Sequence, residues 1–164
     1  MRADSPISDL RDFEQKTIVS TVGTTDLKAI MQINRERPLQ MKIGEVPDHL
    51  KGIEMVEKGQ ADGFALNDVL LYGLIDGRPD PSALKVIGKY LTIDLLGIML
   101  SKEDDGFRQL VDDEMRRLIR SREAYAIYDR WFMQPIPPKN RSLNLPMNYL
   151  TCDFWKSPST ELPN

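Results

Sequence analysis

Three short polar clusters hold the residue types that could grip a charged small molecule, and each follows an apolar run. The first is Thr21, Gly23, Thr24 and Thr25, at the end of the β-branched stretch Thr17-Ile-Val-Ser-Thr-Val. The second is Val46-Pro47-Asp48-His49, which includes the single histidine of the chain. The third is Leu66-Asn67-Asp68. A glycine turn that opens a helix presents unpaired N–H groups beside the threonine hydroxyls. Such a turn accepts a carboxylate as well as a phosphate. An imidazole can take a second acidic group, and Asn67 or Asp68 can take an ammonium. Brought to one edge, these groups suit a small polar zwitterion.

Each cluster also has a structural use. Thr24 and Thr25 serve equally as an N-cap pair, and Asn67 and Asp68 as caps of the helix that follows. His49 beside Asp48 equally reads as a surface or capping residue. His49 and Asp48 are too few ligands for a metal. No nucleophile stands with a base at a recognisable motif, and there is no Walker-type loop or Gly-x-Gly-x-x-Gly. No catalytic residue, metal or cofactor is therefore expected, and the chain does not read as an enzyme.

The elements that must position these residues are an alternation of strand and helix. Residues 16–21 read as a buried strand. Leu27, Ile30, Met31 and Ile33 fall near helical spacing, with Pro38 closing that helix. Residues 40–45 form a second strand with Met41 and Ile43 on one face. Leu50, Ile53, Met55 and Val56 mark a helix stopped by Gly59. Residues 61–66 are a third strand, and 68–75 a short helix ended by Gly77. Two further strands are predicted over 84–87 and 92–100, joined by a Gly-Lys-Tyr turn. This pattern predicts an α/β unit with a mostly parallel sheet. In an open sheet of that kind, ligands sit beyond the carboxyl ends of the strands, where the three clusters fall.

From Ser101 the strands stop. Ser101-Lys-Glu-Asp104 resembles a capping box, and Phe107, Leu110, Val111, Met115, Leu118 and Ile119 form a helical stripe. Another helix, with Tyr125, Tyr128, Trp131 and Phe132, runs to the prolines at 135, 137 and 138. Residues 139–164 read as an irregular tail with Leu150, Phe154, Trp155 and Leu162 as anchors. The expected organisation is an α/β lobe over 1–100, helices over 101–138, and the tail.

A chain of 164 residues with 41% hydrophobic content can bury a core, and a net charge of −3 argues against nucleic acid as a partner. Arg116, Arg117, Arg120 and Arg122 stand among acidic residues and read as a solvated helix face. Cys152 is the lone cysteine, so no intrachain disulfide can form. No apolar run reaches the roughly 18 residues of a membrane span. The polar start Met1-Arg-Ala-Asp-Ser-Pro-Ile lacks a signal segment, which predicts a cytosolic chain or a piece of a longer one.

Three stretches stand out as motifs: Ser8-Asp-Leu-Arg-Asp-Phe-Glu-Gln-Lys-Thr-Ile-Val, Gly23-Thr-Thr25, and Gly59-Gln-Ala-Asp-Gly-Phe-Ala-Leu-Asn-Asp-Val-Leu-Leu-Tyr-Gly73. They resemble the periplasmic amino-acid-binding proteins of ABC importers, especially their glutamate/aspartate branch. Gly97-Ile-Met-Leu-Ser-Lys-Glu-Asp-Asp and Tyr128-Asp-Arg-Trp-Phe-Met-Gln-Pro-Ile-Pro-Pro-Lys extend the likeness, which covers residues 5 to about 147. The resemblance implies one lobe of a type II periplasmic-binding-protein fold, the second jaw of a two-lobed clamp, with C-terminal helices that lean on a first lobe. That first lobe would be missing here.

By the same resemblance, Thr21, Gly23, Thr24 and Thr25 would take the ligand's α-carboxylate, His49 its side chain, and Asn67 or Asp68 its ammonium. Asn67 stands where the family usually has an aspartate, which implies weaker or rearranged ammonium binding. The implied partners are glutamate or aspartate and the membrane subunits of an ABC permease, and the implied location is the periplasm. Self-association through uncovered C-terminal helices is also expected. The alternative is a truncated, non-binding remnant or a protein-interaction module.

Overall fold

The structure is a computed structural model that describes residues 1–37, 39–87, 90–93, 97–138 and 140–156. The chain divides into two compact units, Met1–Asp94 and Leu95–Asn164.

The first unit is built around three parallel strands: β1 (Thr17–Thr21), β2 (Lys42–Val46) and β3 (Gly63–Ala65). Their order is β2-β1-β3, so β1 is central, and Ser20 of β1 lies level with Glu45 of β2 and Ala65 of β3. Helices α1 (Thr25–Glu36), α2 (His49–Glu57) and α3 (Asp68–Asp76) follow the strands in turn. Because strand side chains alternate between faces, β1 feeds two cores. Ile18 joins Phe13, Ile30 of α1, Met41 and Ala65 on one face. Val19 joins Val46, Ile53 and Val56 of α2 and Phe64 on the other, where Leu71, Leu74 and Ile75 of α3 also pack. A strand buried on both faces needs apolar residues on each, which Ile18 and Val19 supply, while the buried Ser20 hydroxyl is satisfied by donating to the Ala65 carbonyl at 2.9 Å.

Side chains close the ends of this sheet. Asp62 accepts from the N–H of Thr17 at 2.8 Å, and Asn34 brackets Met41 with two hydrogen bonds of 3.0 and 3.1 Å. Arg78 grips Glu57 with two bonds of 2.7 and 2.6 Å, tying the end of α2 to the residue after Gly77. That carboxylate raises the Arg78 pKa above its ordinary value.

Among the described residues, two predicted strands are not found. Leu84 makes a single antiparallel bridge to Arg2, and residues 85–87, 90–93 and 97–100 belong to no strand. Gly88 and Lys89 of the expected turn, and 94–96 of the second expected strand, lie outside the described residues, as do Pro38 and Leu162. The physical reason is pairing. An apolar β-branched run signals extended chain, but a strand needs a neighbouring backbone to bond. Residues 83–85 pair with the first three residues rather than with a strand of the sheet, and Ile98 and Met99 stand exposed.

The second unit contains α4 (Asp105–Arg120), α5 (Glu123–Phe132) and α6 (Tyr149–Lys156). The cap of α4 is Asp104, whose carboxylate accepts from the N–H of Phe107 at 2.8 Å, rather than Ser101. Asp104 lies directly before the apolar stripe, so the nearer oxygen takes the role. The tail expected to be irregular holds α6. Trp155 meets the ring of Tyr125 edge-on at 5.0 Å, which gives this short helix an apolar seat. Arg117 bonds both Glu114 and Glu123 across the corner between α4 and α5.

Candidate functional site

The candidate site is the carboxyl edge of the three-stranded sheet. The order β2-β1-β3 places β2 on one side of β1 and β3, the next strand in the chain, on the other, and such a switch leaves a crevice beyond the central strand. Thr21 ends β1 and is 7% exposed. Its Oγ1 lies 2.7 Å from Nδ1 of His49, the first residue of α2. These residues stand 28 apart in sequence, and the parallel β1/β2 pairing brings them together. Asp48 caps α2 by accepting from the N–H of Lys51 at 2.8 Å, which fixes the start of the helix and so the base of the imidazole.

The turn after β1 is built for a tight exit. Gly23 has φ +78, a left-handed value that suits glycine, and no heavy atom would lie within 4 Å of a Cβ added there. Thr24 is the N-cap of α1. Its hydroxyl donates to the Thr21 carbonyl at 2.7 Å and accepts from the N–H of Leu27 at 3.2 Å. The Thr24 side chain is thus engaged at both ends in closing the turn, and Thr25, exposed, is the first residue of the helix. What this turn offers an anion is the positive end of α1 and its first-turn N–H groups.

Asn67 caps α3. Its Oδ1 accepts from the N–H of Val69 at 3.1 Å, and Asp68 Oδ1 accepts from the same N–H at 2.7 Å. Thr21 is one residue beyond the Ser20–Ala65 level and Asn67 two residues beyond it, so both leave the same edge. The structure therefore joins Thr21, Thr24 and His49 through hydrogen bonds, and sets Asn67 and Asp68 beside them by register. The capping uses of Thr24, Asn67 and Asp68 are all realised.

Two residues outside these loops also reach the site. The ring of Phe64 in β3 lies 6.4 Å from the imidazole of His49, and Gly52 of α2 lies under that ring. The one sequence signal for them is a glycine inside a helix, which is disfavoured against alanine unless packing requires it. Among the described residues, no group of three or more His, Cys, Asp or Glu side chains is placed to hold a metal.

No protein-family model matches the chain. The L-glutamate/L-aspartate-binding protein of Pseudomonas aeruginosa is 36% identical over 142 residues, 87% of this chain and 47% of that protein. The glutamate/aspartate import solute-binding protein of Escherichia coli is 32% identical over 158 residues, 96% of this chain and 52% of that protein. The chain is a homologue of the glutamate/aspartate-binding proteins. It spans about half the length of these curated relatives. An ancestral arginine-binding protein bound to arginine has the same fold, with TM-score 0.63 at 14% identity over 80% of this chain and 57% of that one. The glutamine-bound form of an ancestral arginine-binding protein gives the same score, over 80% and 56%. The α/β unit thus shares the fold of these proteins.

Proposed function

We propose that this chain supplies one jaw of an amino-acid clamp for glutamate or aspartate, and that the captured amino acid passes to an ABC-type permease from the periplasm. The observation that carries the reading is the Thr21–His49 hydrogen bond at the carboxyl edge of the sheet, in a chain 36% identical over 142 residues to an L-glutamate/L-aspartate-binding protein. In this reading the first-turn N–H groups after Gly23, with Thr21, Thr24 and Thr25 around them, take the α-carboxylate. His49 takes the side-chain carboxylate, and Asn67 or Asp68 the ammonium. Binding involves no bond making. Closure of a clamp follows from a ligand that interacts better with the closed state than with the open one.

Calorimetric titration with glutamate and aspartate tests the reading. It is run on this chain, and on a fusion that adds the portion of a relative with no counterpart here. Binding by the fusion, lost in its His49→Ala variant for glutamate but retained in part for a neutral amino acid, is the expected result. A folded fusion that releases no heat with either ligand would overturn it.

The exposed apolar residues Phe107, Leu110, Ile127, Trp131 and Tyr149 favour a second reading, in which the C-terminal helices are an interaction surface. Self-association is its simplest form.

A further inference from the structure

Gly52 lies three residues beyond His49 on α2, and residues at that spacing are neighbours on a helix surface. A Cβ built on Gly52 would come within 2.6 Å of Cε2 of Phe64 and 2.8 Å of its Cδ2 and Cζ. The phenyl ring therefore rests on a bare Cα, and any side chain at position 52 would push it away. Phe64 sits in β3 level with Val19 and is 8% exposed, so its backbone and most of its surface are fixed by the core. Its ring meets the imidazole of His49 at 6.4 Å with the planes tilted by 46°. Thr21 Oγ1 restrains the same imidazole at Nδ1.

We propose that Phe64, seated on Gly52, is the positioning residue for His49: it holds the imidazole ready for a side-chain carboxylate before ligand arrives. The inference deepens the amino-acid-binding reading and rests on it for its consequence. A half-buried histidine at the first position of a helix would otherwise sample several rotamers. Ordering it on binding would cost affinity, on the order of three- to tenfold for one side chain. Glycine at 52 is then explained as the seat of the ring that removes this cost.

The single histidine makes the test direct, since the labelled chain gives one set of imidazole nitrogen signals in NMR. The wild-type chain is expected to show one dominant tautomer, because the ring is held in a single orientation by Phe64 and by the bond between Nδ1 and Thr21, whose hydroxyl can donate or accept there. Phe64→Leu removes the ring, and Gly52→Ala displaces it while keeping it. Both are expected to move the signals toward the averaged tautomers of free histidine. In the ligand-competent fusion, both are expected to weaken glutamate binding about three- to tenfold and glutamine binding less.

Averaged tautomers in the wild-type chain would overturn the proposal before any variant is made. So would a folded variant that keeps the wild-type signals. Should Phe64→Leu fail to fold, Gly52→Ala and the milder Phe64→Met carry the same comparison. Absence of glutamate binding by the wild-type fusion would sink the clamp reading. The imidazole signals would still decide whether Phe64 positions His49.

Discussion

Asn67 caps α3 with the same oxygen that a ligand ammonium would need, and Asp68 reaches for the same N–H. One acceptor is therefore in surplus, and the charge at this corner sits on Asp68 rather than on the cap itself. Asn67→Asp should leave stability within about 0.5 kcal/mol, because the two residues cap a helix about equally well. It should tighten glutamate binding by the ligand-competent fusion about fivefold, since a carboxylate–ammonium bond is stronger than an amide–ammonium one. Equal urea midpoints together with unchanged calorimetric affinity would remove position 67 from the ammonium site. At this scale the sequence showed which residue types gather at the loops but not how they are committed. The Thr24 hydroxyl is spent on its own turn, and Thr21 and His49 touch across 28 residues of chain. The first is the N-cap use that local spacing already offered, whereas the second does not follow from local spacing, because strand register decides it. Phe64 was invisible as a site residue for the same reason.

At the scale of elements, β1, α1, α2 and α3 were legible because each carries its own signal: a β-branched run, an apolar period, or a glycine stop. The stretches around 84 and 98 failed because strand character depends on a partner that periodicity does not reveal. What residues 83–85 pair with is the N-terminal segment. Ala3 donates to the Ala83 carbonyl at 2.8 Å, Lys85 donates from its backbone to the Met1 carbonyl at 2.9 Å, and the Met1 amino group donates to the Lys85 carbonyl at 3.2 Å. Burial, with Lys85 nearby adding repulsion, lowers the pKa of that amino group from 8.0 to about 6. The folded state thus disfavours the proton that the unfolded chain binds up to pH 8. Below pH 6 both states are protonated and the full penalty applies. Above pH 8 both are neutral and it vanishes. Stability of the 164-residue chain should therefore rise between pH 6 and 8, by an amount on the order of 2 kcal/mol. Urea titrations across that window check the sign, and acetylation of the amino group should abolish the slope. A slope that survives acetylation would assign it to another group.

The whole molecule is uneven in where it buries apolar surface. Every fully buried hydrophobic residue among those described falls between Ile7 and Leu84. None of α4, α5 or α6 contains a buried residue, although α4 is the longest helix of the structure. The second unit is held instead by a few partly exposed contacts: Tyr125 and Tyr128 around Trp155, Tyr128 stacked on Phe132 at 4.4 Å, and the Tyr128 hydroxyl donating to the Leu145 carbonyl at 3.2 Å. Local stability follows buried apolar contact, so the two units should open separately. In native-state hydrogen exchange at low micromolar concentration, amides of β1 and α1 should be protected at least about 100-fold more than those of α4–α6. If a second copy covers Leu110, Ile127 and Trp131, association stabilises these helices by mass action. Their protection should then climb with protein concentration while that of β1 stays constant, and light scattering should show the mass rising over the same range. Helices α4–α6 as protected as β1 in a chain that scatters as a monomer throughout would mean that the second unit is stable alone, and the self-association reading would fall.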